Sequence, residues 1–192
     1  MGFLILGLMI FLGVHSVRIF AGNWRDGQLA RMGEARWKGL YALLSLAGFG
    51  LLIYGFGLAR ADPTVLWLPP RWTRHLAALL TLPAIILLVA AYVPGSHIKA
   101  AVGHPMIAGV KIWALAHLLA NGKPYAMVLF GAFLVWAILD FVSARRRDRA
   151  AGRRYPASGW SRDAMVMVTG LAAWATFALY GHAWLIGVRP FG

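Results

Sequence analysis

Residues 103–122 read Gly-His-Pro-Met-Ile-Ala-Gly-Val-Lys-Ile-Trp-Ala-Leu-Ala-His-Leu-Leu-Ala-Asn-Gly. The stretch is apolar enough for a lipid bilayer, yet it carries His104, Lys111 and His117. Ionisable groups at membrane depth are costly and therefore mark functional sites. As one helix, 105–120 would rise roughly 24 Å, short of the hydrocarbon core of about 30 Å. It reads either as a short span or as half of a shallow hairpin closed by Asn121-Gly122-Lys123-Pro124.

Working outward, five longer apolar runs flank this one, at about 2–20, 40–58, 74–93, 125–142 and 163–188. Runs of this length and composition are membrane spans. The expectation is an all-α, polytopic transmembrane helix bundle of about six spans, forming a single domain over 1–192. The chain is 60% hydrophobic with a mean hydropathy of +0.68, more apolar surface than a soluble domain of this length can hide. Pro63, Pro69, Pro70, Pro94, Gly95, Asn121 and Gly122 fall between the runs, where turn chemistry belongs. Pro105 suits the first turn of the fourth helix, and Pro83 predicts a kink in the third. The N-terminal run lacks a basic leader and an A-x-A cleavage site, so it reads as a retained span.

The net charge is +13, but Lys and Arg sit mainly between the runs. That distribution orients a membrane protein and argues against nucleic acid as a partner. Twelve of these cations fall on one side, in the loops after the first, third and fifth spans, and five on the other. The richer side is cytoplasmic by the positive-inside rule, which puts both termini outside. Arg145, Arg146, Arg147 and Arg149 read as a contact for anionic lipid headgroups. Cysteine is absent, which excludes disulfides, thiolate metal sites and a catalytic thiol. The six acids form no paired-carboxylate site, and no HExxH, G-x-S-x-G or P-loop motif occurs.

Four of the six histidines lie within or at the start of spans. His97 and His75 read as solvated or interfacial. His15 lies in the cytoplasmic half of the first span, with Arg18 one turn on; it is either a ligand or part of a polar interhelical contact. His104 and Lys111 are seven residues apart, nearly two turns, and so share a face. They form a positive stripe suited to a carboxylate, a haem propionate or a phosphate. His117 lies thirteen residues beyond His104 and cannot share a metal with it. An intramembrane His beside Trp113, with no Cys and no carboxylate cluster, suits an axial haem ligand better than zinc; the competing reading is a packing histidine. His182 lies at a depth similar to that of His117. It reads as a partner for it, or as part of an aromatic belt with Tyr180 and Trp184.

Several motifs carry a family resemblance across essentially the whole chain: Leu12-Gly13-Val14-His15-Ser16, Arg36-Trp37-Lys38-Gly39-Leu40-Tyr41 and Ala61-Asp62-Pro63. Others are His104-Pro105, Gly109, Trp113, Ala116-His117, Asn121-Gly122 and the closing Leu185-Ile186-Gly187-Val188-Arg189-Pro190. With these motifs the chain resembles the NnrU family. The resemblance implies a multi-pass protein of the bacterial inner membrane, linked to denitrification through the production of active nitrite and nitric oxide reductases. That family is similar to the 15-cis-zeta-carotene isomerase, a membrane haem b protein. The similarity implies haem b as cofactor and His15 and His117 as iron ligands, with His104 and Lys111 near the propionates. The isomerase has a Cys three residues before its second ligand, where this chain has Ala114. A second resemblance, to membrane S-adenosylmethionine-dependent methyltransferases, rests on His104-Pro105 with Gly109. The Arg and Tyr of that motif are missing here.

Overall fold

In a computed structural model that describes residues 1–191, the regular structure among the described residues is all helical. Gly192 lies outside them. Helix α1 spans Gly2–Phe20, α2 Gly22–Met32, α3 Glu34–Ala59 and α4 Arg71–Tyr92. Helix α5 spans His97–Val102, α6 Pro105–Ala120 and α7 Pro124–Ala150. Helix α8 (Trp160–Thr176) passes through a π-helical turn, Phe177–Gly181, into α9, His182–Ile186. Five helical stretches are long and apolar enough to cross a membrane: α1, α3, α4, α7 and the continuous Trp160–Ile186. Helix α6 is the sixth apolar segment and the short one, at 16 residues.

The six segments match the runs read from the sequence, and two short helices add to them. Helices α2 and α5 lie in the basic loops, where polar sequence hid them. Helix α6 runs without a break to Asn121, and α7 begins at Pro124. The turn at 121–123 joins α6 to α7, which packs back on it, so α6 is a short helix forming one arm of a helix–turn–helix pair. Pro105 and Pro124 open their helices at positions that need no N–H. Pro83 is carried inside α4.

The helices pack as a row: α3 on α1, α1 on α7, α7 on α6, α6 on α4, and α4 on α8. Contact is made through small side chains. Ala90, Ala114, Ala116, Ala126 and Ala137 are buried, while Leu43, Leu46, Leu79, Val168 and Trp184 face outward. This inverts a soluble core and fits a lipid solvent, where close backbone approach and dispersion, rather than water exclusion, hold helices together. The tightest approach is α1 on α3. A Cβ on Gly7 would meet the Leu52 backbone nitrogen at 2.5 Å, and one on Gly48 the Phe11 nitrogen at 2.8 Å. Gly109 likewise lets α6 press on α4, where an added Cβ would lie 2.7 Å from the Ala84 carbonyl. Across α4 and α8 the Trp174 indole donates to the Ala78 carbonyl at 3.1 Å, a polar tie between apolar helices.

Candidate functional site

The bundle has a cavity at each end, and the basic residues sort with them. Arg25, Lys99 and Arg153 border one cavity; Arg60, Arg74 and Arg189 border the other. This sorting matches the two sides assigned from the loops by counting Lys and Arg, so the ends are named cytoplasmic and outer accordingly.

The outer cavity, of about 300 Å³, lies where α6, α7, α4 and the end of α8 converge. Its wall is aromatic, with Phe56, Trp113, Tyr125, Phe130 and Trp174. Two histidines enter it. The rings of His117 and His182 have centroids 6.4 Å apart and planes 23° from parallel. The Nδ1 of His117 lies 2.8 Å from the Trp113 carbonyl, and that of His182 lies 2.7 Å from the Val188 carbonyl. A carbonyl only accepts, so each Nδ1 carries the proton and donates it. Each Nε2 is left as a lone-pair donor. Metal-ligating histidines are oriented in this way.

Local structure explains how His182 reaches this place. The π turn departs from the α-helical register just before it. After α9, Gly187 takes a left-handed φ of 74° and turns the chain back so that Val188 can accept from the ring. Arg60, from the end of α3, donates to the Ile186 carbonyl at 2.6 Å and pins this C-terminal turn. On the other side, Asn121 donates to the carbonyl of His117 at 2.8 Å. The ring of His117 lies near-parallel to Phe130, with centroids 4.6 Å apart.

His15 is not in this cavity. It lies thirteen residues from the outer end of α1, whereas His117 is three from the outer end of α6. At about 1.5 Å per residue the two sit at different depths. His15 opens instead on the cytoplasmic cavity, beside Tyr41 and Trp136. Its Nδ1 is held to the Phe11 carbonyl at 2.7 Å, so it too presents Nε2. The expected His15–His117 pair is therefore not brought together, and His182 stands opposite His117 in its place. The physical reason is that His117 lies near the C-terminal end of α6 and His15 toward the opposite end of α1, so the two rings line different cavities.

The His104–Lys111 stripe is also divided. His104 Nε2 lies 2.8 Å from Asp148, which also accepts from the Tyr155 hydroxyl at 3.0 Å. Partial burial and the Asp148 carboxylate hold the Tyr155 phenol above its ordinary value. Lys111 places its ammonium 3.7 Å from the centroid of the Phe141 ring. Each of the two side chains thus has a partner within the chain. His97, expected to be solvated, is tied as well. Its Nδ1 lies 2.6 Å from buried Asp163, and its ring stacks on Trp160. His75 is exposed as expected. Of the four arginines assigned to lipid, Arg147 turns inward, to Ser143 at 2.6 Å and Asp140 at 3.8 Å.

Among the described residues, no three His, Asp or Glu side chains cluster to hold a metal. Two aligned imidazoles are too few for a free-standing tetrahedral site but suffice for haem iron, whose macrocycle supplies the other donors. Arg60, Arg74 and Arg189 on the rim suit carboxylates. Paired imidazoles are the donor type that haem iron takes, and the cavity, of about 300 Å³, is at the lower end of the size range for small-molecule sites. The one signal in the sequence that bore on this pairing was the similar depth of His117 and His182; nothing in it announced the π turn or the Arg60 contact. No curated protein and no solved structure matches the chain in either comparison. A family model described as NnrU protein matches residues 3–190, nearly the whole length, and the chain belongs to the NnrU family.

Proposed function

We propose that this chain is a haem b protein of the bacterial inner membrane, whose iron His117 and His182 would hold, supporting the production of active nitrite and nitric oxide reductases. The observation that carries the reading is the histidine pair: two rings in one aromatic cavity, each fixed through Nδ1 with Nε2 left as donor. Arg60, Arg74 and Arg189 would pair with the propionates. Phe130 and Trp113 would keep water from the imidazoles. Bis-histidine haem supplies one-electron redox chemistry when bound. The link to the reductases rests on family membership, and the inner-membrane placement on that membership with the apolar helices and the asymmetry of basic charge.

The test is the absorption spectrum of the protein purified after expression with haem supply, with a pyridine haemochrome assay for haem b. A Soret band that is lost in His117→Ala supports the reading. A protein without a Soret band overturns it. For the physiological role, a deletion strain with normal nitrite and nitric oxide reductase activities would remove the link to denitrification.

A further inference from the structure

The cytoplasmic cavity is larger, about 850 Å³, and lies apart from the histidine pair. Its inner wall is aromatic, with Phe11, Tyr41, Phe133 and Trp136. Its rim is basic, with Arg18, Lys99, Arg147 and Arg153. We propose that this vestibule is a second binding site, for a phosphate-bearing amphiphile whose head meets the basic rim and whose apolar body lies along the aromatic wall.

The charge balance supports an anion. Lys99 donates to the Ala91 carbonyl at 2.6 Å, and Arg147 to the Ser143 hydroxyl at 2.6 Å. The partner of Lys99 is neutral and leaves its charge uncancelled, while Arg147 also faces Asp140. Of the two acids lining the cavity, Glu34 is taken by Lys38 at 2.6 Å. Asp140 remains, 3.8 Å from Arg147, against Arg18, Lys99, Arg147 and Arg153. A cleft lined by one sign of charge with low-dielectric walls concentrates counter-ions. Guanidinium forks with an ammonium match a phosphate. Basic pockets between transmembrane helices on the cytoplasmic side hold phosphate headgroups for this reason.

The vertical ordering supports an apolar body. The rim residues lie at the cytoplasmic ends of α1 and α7, on α5 and on the segment after α7, while Phe11 and Phe133 lie deeper along α1 and α7. A small inorganic anion would use the rim and leave the aromatic wall bare. The rim is also stiff, because His104, Asp148 and Tyr155 are bonded together beside it.

Native mass spectrometry of the detergent-purified chain tests this with four probes: dodecyl phosphate, dodecanol, inorganic phosphate and dioleoyl phosphatidic acid. Dodecyl phosphate is expected to bind at least about tenfold more tightly than dodecanol or inorganic phosphate. Tighter retention of phosphatidic acid than of dodecyl phosphate assigns the site to a membrane lipid, and the reverse to a single-chain phosphate. The double variant Arg18→Gln/Arg147→Gln should weaken binding by about tenfold or more, and Arg145→Gln, outside the vestibule, should leave it unchanged. Val14 also lines the vestibule, and Val14→Trp, which fills it, should exclude the probe even if the arginine variant fails to fold. His117→Ala should bind as the parent does, which separates this site from the haem reading. Equal binding of dodecyl phosphate and dodecanol, or binding that survives Val14→Trp, overturns the proposal.

Discussion

His117 and His182, sixty-five residues apart in the chain, face each other across the outer cavity with ring centroids 6.4 Å apart. Neither His15 nor His104 shares that cavity. The roles of the four histidines are therefore separable by substitution. With haem bound as proposed, His182→Ala should shift the Soret band or lose the haem, while His15→Ala keeps the Soret position. Optical spectra of the reduced and oxidised variants check this, and a band that shifts in His15→Ala but not in His182→Ala would reverse the assignment.

Arg60 holds the turn that carries His182, through one hydrogen bond to the Ile186 carbonyl. Arg60→Gln should preserve the bundle, because the contact lies at an exposed end, but loosen the position of His182. The expected result is faster haem loss to an acceptor protein with an unchanged α-helical circular dichroism spectrum. Haem retention equal to the parent's would show that Val188 and the π turn suffice to place the ring.

The seam between α1 and α3 gives a stability test with its own control. A Cβ at Gly7 meets backbone 2.5 Å away, and backbone cannot swing aside as a side chain can. Gly7→Val should force the helices apart and cost about 1–3 kcal/mol, as overpacking does. Gly50 and Gly57 have nothing within 4 Å of an added Cβ. Gly50→Ala and Gly57→Ala should be neutral or stabilise by up to about 1 kcal/mol through helix propensity. Thermal unfolding in detergent, followed by circular dichroism, ranks the three variants.

The sequence shows the spans plainly because a bilayer demands long apolar runs and punishes charge, so composition alone marks them. It also places His15, Lys111 and His117 on their helices and His104 at the start of one. Partnership is what it does not carry. His104 finds Asp148, Lys111 finds Phe141 and His97 finds Asp163 through the packing of helices remote in sequence. The π turn before His182 is a register change that no periodicity announces in five residues. Helix α6 was open between span and hairpin because sixteen residues satisfy either length. In the structure α6 is one unbroken helix packed on α7 across the 121–123 turn, with His117 three residues from its end.

Asp163 joins α8 to α5. One carboxylate accepts from the His97 nitrogen at 3.2 Å, the Ile98 nitrogen at 3.1 Å and His97 Nδ1 at 2.6 Å. It caps α5 from another helix, alongside Ser96, which accepts from Lys99. Asp163→Ala leaves those donors without the acceptor, at a cost of about 1–3 kcal/mol for each one that stays buried. Hydrogen exchange at His97–Val102 should rise selectively, with α1 and α3 unaffected. Uniform exchange across the bundle would mean that α5 is held by its apolar contacts instead.

Asp148 plays the corresponding part for the segment after α7. That helix is 27 residues long, about 40 Å, so its cytoplasmic end extends past a hydrocarbon core of about 30 Å. There Asp148 gathers His104 and Tyr155, and Ser158 donates from its backbone to the Gly95 carbonyl at 2.8 Å. These bonds lay 151–159 against the bundle, with Arg153 and Arg154 on it as trypsin sites. Asp148→Ala removes both side-chain bonds at once. It should speed cleavage at Arg153 or Arg154 by about fivefold or more, the effect of losing roughly 1 kcal/mol of local stability. Tyr155→Phe removes only the hydroxyl and should have a smaller effect, since His104 and Asp148 stay paired. If the two variants are cleaved equally fast, the tyrosine contact alone holds the segment, and the His104–Asp148 pair serves α6 instead.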